Sequence, residues 1–266
     1  THPGLPDPLE GLRIAHLTDI HINKRRGRHS RIIGHLTRMP LDLVFFTGDY
    51  IWDERDEDVS FDVMRRIVEV LKPRIGSYGV FGNHDTHRLR ELCATLPVRW
   101  LDNESVHLSS LPLDIFGTES DYCCPPDSVA LLGGASRDPV DVAEDVAVEG
   151  DRTGRLRIML CHYPMYLPTA SDLGMDLMFS GHTHGGQCRL PWGRALYNSS
   201  DLPMNLTSGI LRHRRTLCAV SRGLGEVVSA APACVHAAAR SAAGPGDGAY
   251  TERASVVDRR VSAQST

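Results

Sequence analysis

Short apolar runs that stop abruptly at polar, chemistry-capable residues recur along this chain. Arg13 to Asp19 reads RIAHLTD and Leu41 to Asp49 reads LDLVFFTGD; each pattern predicts a buried strand that ends on a carboxylate. Tyr78 to Phe81 before GNHD, Arg157 to Cys161 before His162, and Leu177 to Ser180 before GHTH repeat the form. Between these runs, Phe61, Met64, Ile67, Val68 and Leu71 fall on one face of an amphipathic helix, and a second helix is expected from about His29 to Arg38. Strands alternating with helices predict an α/β fold whose ligand site lies beyond the carboxyl ends of the strands.

Leu108 to Phe116 is expected to add a strand pair, and the stretch 118–151 reads as loop with one short helix around Val140 to Val146. From about Ser229 the composition turns to Ala, Gly, Ser and Arg with little apolar periodicity. Residues 1–228 are therefore predicted to form the folded domain and 229–266 a low-complexity, mobile tail.

Composition narrows the classes. At 266 residues, with 41% hydrophobic and 23% charged positions, the chain has ordinary globular values and enough length to bury a sizeable core. Twenty-nine Lys plus Arg against 33 Asp plus Glu leave a net charge of -4, so no extended nucleic-acid binding is expected. The seven cysteines form no C-x-x-C pair and are odd in number, which argues against a zinc ribbon or a disulfide framework. Adjacent Cys123 and Cys124 read as free thiols in a loop. No run approaches the ~18 apolar residues of a membrane helix, so the chain reads as soluble. It opens on Thr1 rather than Met, which leaves localisation open between cytoplasmic and membrane-peripheral, with a targeting or anchor segment outside this chain as one alternative.

The candidate chemistry lies in short blocks: Asp19-Ile20-His21, Gly48-Asp49, Gly82-Asn83-His84-Asp85, His162, and Gly181-His182-Thr183-His184. Singly, each is as ordinary as a solvated turn. Together, at successive strand ends and with several beside a Gly, they point to a metal site. Residues i and i+2 of an extended segment face alike, so D-x-H and H-x-H are each expected to aim two side chains at one point. Carboxylates, imidazoles and a carboxamide without thiolate suit two divalent ions such as Mn, Fe, Zn or Co. One carboxylate can bridge such a pair, and phosphoryl-ester hydrolysis is the reaction that best uses it.

The order D-x-H, G-D, G-N-H-D, H, G-H-x-H resembles the calcineurin-like metallophosphoesterase superfamily over about Leu12 to Gly225. LPDPLEGLRIAHLTDIH, CHYP, SGHTHGGQCRLP and VSRGLG are most similar to its bacterial YaeI- and YkuE-like phosphodiesterase branch, which includes UDP-2,3-diacylglucosamine hydrolases. After Gly225 the pattern departs from that branch. The resemblance implies a sandwich of two mixed β-sheets flanked by helices. It also implies that Asp19, His21 and His184 hold one metal and Asn83, His162 and His182 the other, with Asp49 bridging. His84 would be general acid or phosphoryl clamp, with Asp85 orienting it, and a bridging hydroxide would attack phosphorus in line. The implied substrate is a small phosphodiester or pyrophosphate, nucleotide-linked or lipid-linked.

Rival readings are a phosphomonoesterase or nucleotidase on the same site and a catalytically weak scaffold. Lys24, Arg25, Arg26 and Arg28 follow the first block; Arg25 or Arg26 is the candidate phosphate contact, against a solvated basic loop. Tyr50, Trp52, Tyr163 and Trp192 are candidates to cover the site or to fill the core, and Gly185-Gly186-Gln187 to admit a substrate or simply to leave a strand. His87 reads as a helix-start residue near the cleft, and His16 as a residue of the sheet interior.

Overall fold

A computed structural model describes residues 6–23, 34, 36, 40–118, 154–186 and 207–225. β1 (Ile14–Leu17), β2 (Leu43–Thr47), β3 (Gly76–Val80) and β4 (Arg99–Trp100) form one sheet in that order, with each described pairing parallel. The second sheet comprises β5 (Glu104–Leu108), β6 (Leu113–Gly117), β7 (Leu156–Leu160), β8 (Leu177–Ser180), β9 (Gly209–His213) and β10 (Thr216–Val220). Its order is β5-β6-β7-β8-β10-β9. Four central strands run parallel and the two edge strands antiparallel, so this sheet is mixed.

Alternation along the strands builds the layers. Leu43 and Phe45 of β2 share a core with Ile115 of β6 and Ile158 and Leu160 of β7, so this apolar layer lies between the sheets. Val44 and Phe46 point the other way, onto Met64, Ile67 and Val68 of helix α1 (Glu57–Val70) and Leu89 of helix α2 (His87–Cys93). On the far side, Met159, Met178 and Cys218 pack against Leu167 and Ala170 of helix α3 (Leu167–Asp172). Two sheets between helical layers are the architecture expected. A strand buried on both faces reads as an unbroken apolar run, which is why LVFF was conspicuous.

The α1 face follows the predicted positions, with Met64, Ile67, Val68 and Leu71 buried. Of the helix expected over 29–38, only residues 34 and 36 are described, and both are helical. The helix expected at 140–146, the tail 229–266, and Cys123, Cys124, Cys188 and Cys234 lie outside the described residues. Cys93, Cys161 and Cys218 are buried free thiols. His16 sits between the sheets, its Nε2 2.7 Å from Thr47 Oγ1 and its ring edge-on to Phe179, and burial pushes its pKa down to about 4.

Phe45 is fully buried, with its ring 5.1 Å from that of Phe179 across the inter-sheet layer. Phe45→Ala should lower unfolding free energy by ~3–5 kcal/mol in urea denaturation. Leu224→Ala, at a side chain 39% exposed, should change it little. A Phe45→Ala loss below ~1 kcal/mol would contradict the layer assignment.

Candidate metal centre

All the blocks sit where parallel strands end. β1 runs into Asp19 and His21, β2 into Asp49, β3 into Asn83 and His84, β7 into His162, and β8 into His182 and His184. Parallel strands deliver their carboxyl ends to one edge, so residues far apart in sequence meet there. Hydrogen bonds join the two sheets at that edge. Asp19 Oδ1 and Oδ2 accept the His182 N–H at 3.0 and 3.1 Å, and His162 Nδ1 lies 2.7 Å from the Thr47 carbonyl oxygen.

The backbone departs from the extended geometry expected for D-x-H and H-x-H. β1 stops at Leu17 and β8 at Ser180, and Asp19, His21, Asp49, His182 and His184 all have left-handed φ, from 44° to 66°. Among the described non-glycine residues only Asn103 and Arg214 share that sign. Such backbone costs ~1–3 kcal/mol per residue and gathers at functional sites. The side chains therefore converge through tight left-handed turns rather than pleat alternation. Two glycines make room: a Cβ on Gly181 would collide with the Asp19 carboxylate and Thr18 Oγ1, and one on Gly82 with the Asp49 carboxylate.

Two ligand sets result. Asp19, His21 and His184 bring a carboxylate oxygen and two imidazole nitrogens within 4.8 Å of one another, and so do Asp49, His162 and His182. His21 Nε2 and His184 Nε2 lie 2.9 Å apart, and His184 Nε2 is 3.2 Å from Asp19 Oδ1. Asp49 Oδ2 is 3.2 Å from His162 Nε2 and 3.6 Å from His21 Nε2, so this one oxygen faces both sets. Asn83 Oδ1 lies 3.1 Å from His182 Nδ1, at the open side of the second set.

Protonation follows from burial and from backbone carbonyls. His21 Nδ1 faces the Ile51 oxygen at 3.1 Å and His162 Nδ1 the Thr47 oxygen. A carbonyl only accepts, so each Nδ1 carries a proton and each Nε2 is turned to the centre. Burial lowers the His21 pKa to about 4; burial, and then the repulsion that protonating both neighbouring rings would bring, lower His184 to about 3, so both rings are neutral at pH 7, the form that binds metals. Burial also opposes charge on His162, yet the Asp49 carboxylate outweighs it and lifts that ring to about 9. Asp49 itself is held far below the usual carboxylate range: burial raises it, but the surrounding histidines prevail. Burial raises Asp19 to about 7, with the negative charge of Asp49 adding to that rise.

These features test the fit to cations. His162 Nε2 is buried and meets no hydrogen-bond geometry, although it faces the Asp49 carboxylate at 3.2 Å, so its proton stands in for a cation between two donor atoms. His21 and His184 aim neutral nitrogens at each other. A divalent ion in each set would satisfy both arrangements, and deprotonated carboxylates with neutral imidazoles are the donors such ions require.

Around this centre, His84 is exposed, its ring edge-on to His21 at 5.0 Å and its N–H donating to Asp49 Oδ1 at 3.0 Å. Asp85, expected to orient His84, is engaged with backbone donors. Its carboxylate accepts the backbone N–H groups of Gly82, Asp49 and Tyr50 at 2.7 to 2.9 Å, so both oxygens are engaged by the Asp49 turn and its own loop. Asn83 and His84 line an open cleft of about 740 Å³ together with Trp52, Asp53, Glu54, Arg55, Thr86 and His87. His87 is the first residue of α2, as expected, and also lines this cleft. The fully buried Tyr163 ring backs His182 at 4.7 Å. Arg25, Arg26, Lys24, Arg28, Gln187 and Trp192 lie outside the described residues. Thr18 was missed: its hydroxyl donates to Asp19 Oδ2 at 2.7 Å, and its place directly before the carboxylate was the available signal.

With this geometry in view, the model of the calcineurin-like phosphoesterase family matches residues 12–186. The chain is 28% identical to the uncharacterized metallophosphoesterase YkoQ of Bacillus subtilis, over 84% of this chain and 79% of that one. It is 32% identical to a Danio rerio transmembrane protein with metallophosphoesterase domain, over 69% of this chain, and spans only 42% of that protein. It is 25% identical to the UDP-2,3-diacylglucosamine pyrophosphatase LpxG of Chlamydia muridarum, over 69% of this chain and 67% of that one. A dimetal phosphatase of known structure from Danio rerio is 14% identical, with a TM-score of 0.47 over 80% of this chain and 88% of that one. The family match covers well over half of the sequence and contains each of the strand-end blocks, and the chain belongs to the calcineurin-like phosphoesterases, a family of metal-dependent phosphoesterases.

Proposed function

We propose that this centre hydrolyses phosphodiester or pyrophosphate bonds. Asp19, His21 and His184 would hold one divalent ion, Asn83, His162 and His182 the other, and Asp49 would serve both. The observation that carries this reading is the position of Asp49 Oδ2, within 3.6 Å of an imidazole nitrogen of each set. Bound there, the two ions would make hydroxide available near neutral pH and neutralise phosphoryl charge.

The protein's own groups do the rest. The Thr47 and Ile51 carbonyls fix the His162 and His21 rings, and Thr18 steadies the Asp19 carboxylate. His84 lines the cleft and is exposed to solvent, available to give a proton to the leaving oxygen or to clamp a phosphoryl oxygen. Beyond the centre, the open cleft has room for the second substituent that a diester or pyrophosphate carries and a monoester lacks. Arg25 or Arg26, a few residues past His21, serves as a further phosphate contact. That LpxG is named as a pyrophosphatase supports the pyrophosphate branch of the reading. Residues 229–266 are assigned no part in catalysis.

Asp49→Ala and His162→Ala should each abolish hydrolysis of a bis-aryl phosphate in metal-replete buffer. Wild-type rates in both variants would refute the centre. His84→Ala should slow turnover ~10²–10⁴-fold while metal content by elemental analysis stays at the wild-type level; a loss of metal would make His84 a ligand instead. The wild type should cleave bis-aryl phosphate faster than mono-aryl phosphate, and the reverse preference would identify a phosphomonoesterase.

A further inference from the structure

β2 ends at Thr47, and the chain then leaves the ladder with Gly48 at φ 94° and Asp49 at φ 58°. A strand that turns away like this strands its next backbone donors inside the protein. Here the N–H groups of three successive residues are all taken by two buried side chains. The Gly48 N–H donates to the Tyr50 hydroxyl at 2.9 Å, and that hydroxyl donates to the Val80 carbonyl at 2.7 Å. The Asp49 N–H donates to Asp85 Oδ2 at 2.9 Å and the Tyr50 N–H to Asp85 Oδ1 at 2.8 Å. Asp85 Oδ2 also accepts the Gly82 N–H at 2.7 Å, which ties the GNHD loop to the same knot. Arg90 braces that loop through the Asp85 carbonyl at 3.0 Å.

We infer that Asp85 and Tyr50 are positioning residues, which hold Asp49 in the left-handed turn that aims its carboxylate at both ligand sets, and that Asp85 acts on the reaction through Asp49 and not through His84. This rests on the bridging role proposed for Asp49. The geometry favours it over a general structural role because every one of these bonds ends on the Asp49 turn or on the loop that presses against it. Asp85→Asn keeps the volume but replaces one accepting oxygen with an N–H₂ group, so at least one buried N–H loses its partner. Tyr50→Phe removes the hydroxyl that joins Gly48 to Val80.

The test is calorimetric titration of the full chain, stripped of metal, with Mn²⁺ alone, alongside steady-state kinetics on a bis-aryl phosphate. Asp85→Asn should bind Mn²⁺ ~10–100-fold more weakly, the range for residues that orient metal ligands, and kcat should fall with little change in KM. The same loss of affinity should recur when Asp85→Asn is placed on His84→Ala, with the two effects on kcat multiplying. If Asp85→Asn leaves Mn²⁺ affinity within twofold of wild type, or has no effect on kcat once His84 is gone, the inference is overturned. Should Asp85→Asn fail to fold, Tyr50→Phe decides, with weakened Mn²⁺ binding expected and unchanged binding contradicting. If the wild type binds Mn²⁺ but cleaves no diester while both variants bind more weakly, the proposed reaction falls and the positioning inference stands.

Discussion

Burying the carboxylates of Asp19 and Asp49 side by side removes negative charge from water, at a cost of several kcal/mol per group unless counter-charge is supplied. Much else at this edge of the molecule answers that cost. Four histidines surround the two carboxylates, a hydroxyl and backbone N–H groups point at them, and His162 is driven to keep a proton where a cation belongs. A pair of divalent ions is the counter-charge that suits this donor set, because it satisfies both carboxylates and leaves the imidazoles neutral.

The fold makes that concentration of charge reachable. Parallel β1, β2, β3, β7 and β8 deliver their carboxyl ends to one side, and the apolar layer between the sheets keeps the two edges in fixed relation. Left-handed turns at five of the candidate ligand positions then bend the side chains inward. The strain of those turns is held by neighbours with no ligand role: Asp85 and Tyr50 behind Asp49, and Gly181 and Gly82 where a side chain would block a carboxylate.

Much of this was legible in the residues. Runs such as LVFFT advertise a strand buried on both faces, and each ends where a candidate ligand begins, so strand ends and blocks could be read together. Phe61 to Leu71 showed helical spacing because one face of α1 had to match the outside of β2. β9, with Ile210 and Arg212 exposed on either side of Leu211, carried too little apolar contrast to be seen. Backbone sign leaves no trace in hydrophobic periodicity, so the D-x-H block was read as extended although Asp19 and His21 are left-handed. Adjacency suggested that Asp85 serves His84, whereas its carboxylate partners include Asp49 and Tyr50, some 35 positions earlier and brought close only by β2 and β3 pairing in parallel.

The central claim is that one buried carboxylate joins two metal ions. Electron paramagnetic resonance of the Mn²⁺-loaded protein measures it directly, because ions sharing a bridge couple magnetically. Two Mn²⁺ per chain with an exchange-coupled spectrum, replaced in Asp49→Asn by the six-line signal of isolated ions, is the predicted result. A six-line signal in the wild type, or a single ion per chain at saturation, would contradict the account.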